Sequence, residues 1–253
     1  MRRVPQGLGR LPREGDLLND RVFLETTRRF APPRLAAEDV RLALALAQVG
    51  PEKCVADLGC GYGRHLKALE LAGYPDVIGI DKSPLLLAEA AREAPRARLI
   101  RADLTALPLH EGSLSAAFCF YSSMFLGTHD EARASLAEAA RVLRPGGSLV
   151  LTTDNPLRLA RRPQARFAED VPGLGRVVEE STFDARENVD TVTKTVQLNG
   201  EKLSAVFVIR YYPPAELELL AREAGLQLIR LEPDAPLGED TPQLMALFER
   251  LEN

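Results

Sequence analysis

Apolar positions along the chain fall into three successive patterns, each predicting a different kind of element. Between residues 16 and 49, "DLLNDRVFLETTRRF" sets Leu17, Leu18, Val22 and Phe23 at near-helical spacing, Pro32-Pro33 interrupts the pattern, and "RLAAEDVRLALALAQ" resumes it. From Lys53 onward short apolar runs alternate with turns holding Gly or Asp and with amphipathic stretches, the rhythm of βαβ units in a parallel sheet. Strands are expected over 54–57, 77–80, 97–101, 116–120 and 148–152. Helices are expected from Arg64 ("RHLKALELA"), from Ser83 ("SPLLLAEAARE", a Ser N-cap with Pro in the first turn) and from Asp130 ("DEARASLAEAARVL"). There "RPGG" stops the helix and turns the chain into the fifth strand. After Asn155 the period becomes two: "RVVEESTFDA", "VDTVTKTVQL" and "KLSAVFVIRYY" alternate around Asn199-Gly200, a hairpin signal that predicts an antiparallel insert. "PAELELLAREAGLQLIRLE" then returns to helix and strand, and "QLMALFERL" supplies a final strand.

Composition removes several function classes. A chain of 253 residues, 45% hydrophobic, is large enough to bury a sizeable core, and its net charge of −4 gives no global pull toward nucleic acid or an anionic membrane. The N-terminal "MRRVPQGLGRLPREGD" has two arginines with no apolar run behind them, and nowhere do eighteen apolar residues stand together. A cytoplasmic protein without membrane contact is the expectation. Cys54, Cys60 and Cys119 are odd in number and widely spaced, with no Cys/His ligand pattern, so neither a disulfide framework nor a metal site is expected.

Candidate chemistry concentrates in "CVADLGCGYGRHLK", Cys54 to Lys67. A glycine-rich turn that leaves a strand and opens a helix lets backbone approach a ligand closely. A dinucleotide would require GxGxxG, with the third glycine packing helix on strand. Gly59 and Gly61 fit, but the third position is Arg64, too large for that packing, and Gly63 comes one residue early. Asp57 at the strand end would also repel a pyrophosphate. A carboxylate there suits a cofactor that is cationic and free of phosphate; S-adenosylmethionine, with a sulfonium and an α-ammonium, is both. Further carboxylates follow at Asp81 and Asp103, 24 and 22 residues on, about one strand plus a crossover helix. The three acids are expected to line up along one sheet edge.

"VADLGCGYGRH" resembles the first motif of the class I S-adenosylmethionine-dependent methyltransferases, an acidic residue followed by GxGxG. "VIGIDKS" is similar to the second motif, which implies that Asp81 accepts both ribose hydroxyls, and "RADLTALPL" to the third, which implies Asp103 at the adenine amino group and the Leu104 N–H at the ring. "FCFYSSMFL" takes the fourth position, beside the methionine part, and "ARVLRPGGSLVLTT" resembles the approach to the fifth strand. With the late "RYYPPAELELLAREAGL", the chain is similar to bacterial small-molecule methyltransferases that carry an N-terminal helical lid and an antiparallel insert. The resemblance implies an α/β, Rossmann-like sheet of seven strands in the order 3-2-1-4-5-7-6, the last antiparallel, with the insert between strands 5 and 6. It divides the chain into a lid segment (1–50), a cofactor-binding core (51–156), an antiparallel substrate cap (157–212) and a completion of the sheet (213–253). The implied cofactor residues are Asp57, Gly59, Cys60, Gly61, Gly63, Asp81, Lys82, Asp103, Leu104, Tyr121 and Ser122. The implied reaction is in-line methyl transfer from S-adenosylmethionine to a small-molecule acceptor, leaving S-adenosylhomocysteine.

Phe23, Ser123, Met124 and Tyr211 are candidates for the acceptor side. No catalytic residue is assigned, because the cofactor is already activated and alignment with water exclusion is the main requirement. If the acceptor loses a proton, His129, Asp154 and Tyr211 are the candidates to take it. His65 is read as a packing or loop residue rather than a base, and His110 as a solvated turn residue. "DNP" at 154–156 resembles the motif of amino methyltransferases acting on nucleic-acid bases, but it follows strand five instead of four and has Leu157 where a second Pro belongs. Cys119 lacks the preceding proline of a cytosine-C5 nucleophile and reads as a core thiol. "RLARRPQAR" gathers Arg158, Arg161, Arg162 and Arg166 in a solvated loop or in a selector for an acidic or phosphate-bearing substrate. Besides a small-molecule enzyme, an RNA methyltransferase using this loop is disfavoured by the net charge, and a cofactor-binding regulator without catalysis is the third reading. Monomer and homodimer are both compatible with the sequence.

Overall fold

The computed structural model describes residues 14–172, 175–198, 200–233 and 243–252. Helix α1 (Glu14–Phe30) and α2 (Pro33–Ala47) come first, divided at Pro32-Pro33, where two backbone donors are missing. The alternating section is β1 (Val55–Leu58), α3 (Arg64–Leu71), β2 (Ile78–Asp81), α4 (Pro84–Glu93), β3 (Arg98–Arg101), β4 (Leu114–Cys119), α5 (His129–Val142) and β5 (Leu143–Asp154). Next come α6 (Pro156–Arg161) and four strands, β6 (Gln164–Val171), β7 (Gly175–Asp184), β8 (Val189–Leu198) and β9 (Glu201–Arg210). α7 (Pro214–Glu223), β10 (Leu226–Glu232) and β11 (Gln243–Arg250) close the chain.

The main sheet has the order β3-β2-β1-β4-β5-β11-β10, and β11 runs antiparallel to both its neighbours, as the motif resemblance implies. β6 to β9 form a separate antiparallel sheet between β5 and β10 in the chain. The Asn199 of the expected hairpin and the N-terminal stretch 1–13 lie outside the described residues, as do the side chains of Leu17 and Leu18. Two stretches depart most from expectation. The 158–166 stretch is not a loop: residues 158–161 end α6 and 164–166 begin β6, so the second sheet has four strands where three alternating segments were expected. "RPGG" does not separate α5 from β5 by a free turn; it is built into β5, whose register with β4 shifts between the pairs Leu114–Leu143 and Ala116–Ser148, with Gly146 in the left-handed region.

Side chains alternate across each strand, so the sheet buries two faces. Val55, Ala116, Phe118 and Val150 pack with Ala36, Val40, Ala43, Leu66 and Ala90 from α2, α3 and α4. Ala56, Leu58, Ala117 and Leu151 pack with Leu136, Ala139, Leu217 and Leu220 from α5 and α7. Asp57 shares the face of Val55 by this alternation, the face that α2, α3 and α4 cover, and it is buried instead of standing out at the sheet edge. Helix α1 joins two smaller clusters. Val22 is buried with Val177, Val196 and Ala205 of the second sheet, while Leu24 packs on Tyr62 and Leu86 beside the glycine loop. The second sheet thus hangs over the C-terminal ends of the main strands. Among the described residues no helix is long and apolar enough to cross a membrane, and no group of three or more His, Cys, Asp or Glu is placed to hold a metal.

Candidate functional site

The glycine loop is held by its own sheet. The N–H groups of Gly59 and Cys60 donate to the Ile80 carbonyl at 2.8 and 2.9 Å, and the Gly61 N–H donates to Asp81 Oδ2 at 2.9 Å. The second Asp81 oxygen accepts the Ser83 N–H at 2.8 Å, and the Ser83 hydroxyl caps α4 through the Leu86 N–H. Each Asp81 oxygen therefore keeps acceptor capacity. Burial raises the Asp81 carboxyl above its ordinary range, and the two N–H donors oppose that shift. Asp103 lies just beyond β3, its Oδ1 fixed by the Thr105 N–H and hydroxyl at 2.9 and 2.8 Å.

A cavity of about 1130 Å³ opens over this edge, roofed by α1 and the second sheet. Its volume is that of a large ligand site, room for a nucleoside cofactor beside a second molecule. Of the sequence candidates, Gly59, Cys60, Gly61, Asp81, Lys82, Asp103, Leu104 and Tyr121 line it, with Phe23, Ser123, Met124 and Tyr211. Three candidates do not. Gly63 turns the chain into α3 with φ 88° and faces α4, where an added Cβ would lie 2.9 Å from Ala90 Cα. Ser122 directs its hydroxyl into the core, 3.0 Å from Thr153 Oγ1. Asp57 lies under the loop, not on the cavity wall, so only two of the three expected acids share the rim.

Asp57 is nevertheless unusual. It is 1% exposed, and both its oxygens are buried without a hydrogen-bond partner among the described residues. Burial first, and then the charge of Asp81, pushes its carboxyl up to about 7, while Arg64 pulls it down. An orphaned buried carboxylate calls for a cation or a donor. The α-ammonium of S-adenosylmethionine carries such a charge, and the acceptor oxygens of Asp81 and Asp103 beside an unsubstituted glycine loop suit the rest of that cofactor.

Beside the loop the backbone is strained. Tyr121 and Ser122 both adopt left-handed conformations, φ 55° and 58°, held by hydrogen bonds from Tyr121 N to Thr152 Oγ1 and from Ser122 N to the Thr152 carbonyl. Tyr121 donates its hydroxyl to Asp39 Oδ2 at 3.0 Å, and His65 Nε2 approaches the same oxygen at 3.2 Å with its ring stacked on Phe120. Burial lowers His65 to about 4 despite Asp39, so it stays neutral at pH 7 and serves as a packed donor. Asp39 was not singled out from the sequence, yet it occupies the apolar stripe of α2 formed with Ala36, Val40 and Ala43, and a carboxylate on such a stripe is the visible signal.

The far end of the cavity is polar. Tyr211 donates to Asp154 Oδ2 at 3.3 Å, Ser181 bonds Asp190, and Glu179 pairs with Lys194 at 2.8 Å. His129 Nδ1 contacts the Tyr212 hydroxyl at 3.1 Å and does not line the cavity. In the "DNP" stretch, Asn155 caps α6 through the Leu157 N–H and Pro156 opens that helix, a local structural role. Arg158 and Arg162 line the cavity, while Arg166 pairs outside with Glu180.

Comparison with known proteins agrees with this geometry. Residues 55–147 match a family model described as a methyltransferase domain. The chain is 34% identical over 165 residues to a 23S rRNA (guanine(748)-N(1))-methyltransferase of Streptomyces fradiae, covering 63% of this chain and 51% of that one. It is 29% identical over 199 residues to a malonyl-[acyl-carrier protein] O-methyltransferase of Hahella chejuensis, covering 77% and 67%. Among solved structures, the CcbJ methyltransferase of Streptomyces caelestis superposes with a TM-score of 0.74 at 23% identity, covering 87% of this chain and 91% of that one. The chain spans about half the length of the first curated relatives it matches.

Proposed function

We propose that this chain, whose core belongs to the class I S-adenosylmethionine-dependent methyltransferases, moves a methyl group from that cofactor to a small organic acceptor held beneath the second sheet. The observation that carries the reading is the continuity of one cavity from Asp81 and the glycine loop to Asp154 and Tyr211. When bound, the cofactor supplies an electrophilic methyl on a sulfonium. The protein's share is alignment and the exclusion of water, which the roof of α1 and the second sheet favours.

Asp81 would hold the ribose hydroxyls with its remaining acceptor capacity, Asp103 and the Leu104 N–H would take the adenine, and Asp57, beneath the loop, would act on the ammonium through its charge and not by contact. Asp154 is the better placed proton acceptor: burial raises its carboxyl, while burial and the charge of Asp154 raise Tyr211 and keep that phenol protonated. The arginines favour a small acceptor over RNA, since Arg158 and Arg162 face the cavity and Arg166 is matched by Glu180. The test is the release of S-adenosylhomocysteine from purified protein, cofactor and a fractionated pool of small amines, phenols and acids. Release that depends on a small-molecule fraction is expected. Turnover only with RNA, with binding that weakens steeply in salt, would replace this reading by the nucleic-acid one. Cofactor binding with no turnover on any acceptor would leave a regulator.

Protonation of Asp57 gives a pH prediction. In the free protein it titrates near 7, against 3.8 for an ordinary aspartate, so between about pH 4 and 7 the folded chain holds a proton that the unfolded chain releases. This group's stabilising contribution is complete below about pH 4 and is lost as pH rises to about 7. Binding an ammonium in the cavity above it has the opposite trend, because the negative charge that attracts the ammonium is present only after the proton has left. Affinity for S-adenosylhomocysteine, measured by calorimetry, is expected to fall up to about tenfold per pH unit below 7. Asp57→Asn is expected to flatten that slope; an unchanged slope would remove Asp57 from the ammonium.

A further inference from the structure

Resting on the methyl-transfer reading above, we propose that the acceptor is an amine that enters as an ammonium ion and is held at the far end of the cavity by Asp154 and Asp190. By strand alternation Val177, Glu179, Ser181 and Phe183 of β7 share one face with Asp190, Val192, Lys194 and Val196 of β8, in the cross-strand pairs Val177–Val196, Glu179–Lys194, Ser181–Val192 and Phe183–Asp190. One end of that face is apolar, where Val177 and Val196 seat Val22 of α1. Beyond it the covered face turns polar, and Glu179, Ser181, Asp190 and Lys194 all line the cavity. Ionisable groups on the covered face of a sheet are unfavourable unless a partner or a ligand answers them, so this break in the pattern falls where a site is expected.

The charges on this wall do not balance. Glu179 and Lys194 answer each other at 2.8 Å. Asp190 is 4% exposed and forms no ion pair among the described residues. Its two oxygens share the Ser181 hydroxyl, at 2.7 and 2.9 Å, and that one proton serves a single oxygen at a time. Asp154 ends β5, accepts the Tyr211 hydroxyl on Oδ2 and likewise forms no ion pair among the described residues. Burial raises Asp154, Asp190 and Tyr211 alike; the charge of Asp190 adds to the rise at Asp154, and the charges of Asp154, Asp190 and Glu179 add to the rise at Tyr211. Arg158 opposes the rise at Asp154 from an exposed position, where water screens it. An acid would meet these carboxylates at like charge and an alcohol would leave them unanswered, whereas an ammonium brings both the charge and the N–H donors.

Thr152, two residues before Asp154 on β5, fixes Tyr121 and Ser122 beside the glycine loop, so the carboxylate adjoins the cofactor end of the cavity. Asp190 holds the charge of the amine, and Asp154 takes one of its protons and so frees the nitrogen lone pair. The nitrogen gains the methyl as its fourth bond while the carbon–sulfur bond breaks, with the electron pair of that bond staying on sulfur. The proton on Asp154 then passes to solvent.

The test presents small amines, phenols and acids as three separate fractions to the purified protein with methyl-labelled cofactor. Label is expected in the amine fraction alone, and acetylating its nitrogens beforehand is expected to lower the label about tenfold or more, since an amide has no basic lone pair and no charge. On an amine from that fraction, Asp190→Asn is expected to raise KM about tenfold or more with kcat within about threefold, the loss of one charge-assisted hydrogen bond. Asp154→Asn is expected to lower kcat about a hundredfold, the loss of a proton acceptor. Affinity for S-adenosylhomocysteine, measured by calorimetry, is expected to stay within about twofold in both, which reports that each variant is folded with its cofactor end intact. Label in the phenol or acid fraction, label that survives acetylation, an Asp190→Asn protein with the parent's KM or an Asp154→Asn protein with the parent's kcat overturns the inference. So does a rise in KM matched by an equal loss of S-adenosylhomocysteine affinity, the mark of a merely structural Asp190. If the unaltered protein binds S-adenosylhomocysteine and labels none of the fractions, the methyl-transfer reading itself falls and takes this inference with it.

Discussion

Replacing Asp81 with alanine is expected to weaken S-adenosylhomocysteine about a hundredfold or more. Two losses coincide at this one side chain. Its oxygens are the acceptors for the Gly61 and Ser83 N–H groups, at 2.9 and 2.8 Å, so removal frees the glycine loop from β2 and loosens the start of α4. The same oxygens are the acceptors for the ribose in the cofactor reading. Charge-assisted hydrogen bonds contribute about 1.5 to 3 kcal/mol each, so losing two costs about 3 to 6 kcal/mol, and each 1.4 kcal/mol is tenfold in affinity. Asp81→Asn, which keeps one acceptor oxygen in place, is expected to lie between the two. Calorimetry on folded Asp81→Ala that gives an affinity within threefold of the parent would remove this residue from the site.

The second large effect comes from two glycines separated by a single residue. Gly61→Val is expected to abolish cofactor binding while the protein stays folded, and Gly63→Val is expected to lower the melting temperature by about 10 °C. At Gly61, φ is 54° and, among the described residues, the only atom within 4 Å of an added Cβ is Phe23 Cε1 at 3.8 Å, so the branched side chain would stand in the cavity at the cost of backbone strain. At Gly63, φ is 88° and the added Cβ would lie 2.9 Å from Ala90 Cα and 3.0 Å from its Cβ, with no flexible group to yield. Strain of about 1 to 3 kcal/mol and overpacking of about 1 to 3 kcal/mol then add, and a domain of this size loses roughly 2 to 4 °C per kcal/mol. Thermal melts with and without S-adenosylhomocysteine separate the cases. A Gly63→Val protein melting with the parent would contradict a packing role for that glycine, and a Gly61→Val protein still stabilised by ligand would take Gly61 off the cofactor's path.

The two glycines also mark the limit of what spacing alone reveals. Position 63 reads as one of three loop glycines because the repeat GxGxG is regular in sequence, but the chain has already turned into α3 by then, and the residue does the close helix packing that a dinucleotide fold assigns one place later. Asp57 was legible as a carboxylate at a strand end. Which face of β1 it takes depends on the alternation set by Val55 and Leu58, and that is fixed only when the helices pack. Strands β1 to β5 were readable because they carry short apolar runs at crossover spacing, their order in the sheet only through the motif resemblance, and Ser83 announced α4 through its cap. α5 begins a residue earlier than expected; its start was written in "THDE", where Thr128 and Glu131 form a reciprocal capping box. The link between Asp39, His65 and Tyr121 joins residues 26 and 82 positions apart, and such long-range pairs have no local signature.

Helix α1 sends Val22 into the heart of the second sheet and Leu24, two residues later, into the cluster that supports Tyr62. The canopy and the floor of the chamber are therefore clasped by one rigid rod. Neither can swing away without dragging the other or tearing one of those apolar seats open, so in the methyl-transfer reading admission of an acceptor and departure of the spent thioether would be mechanically tied.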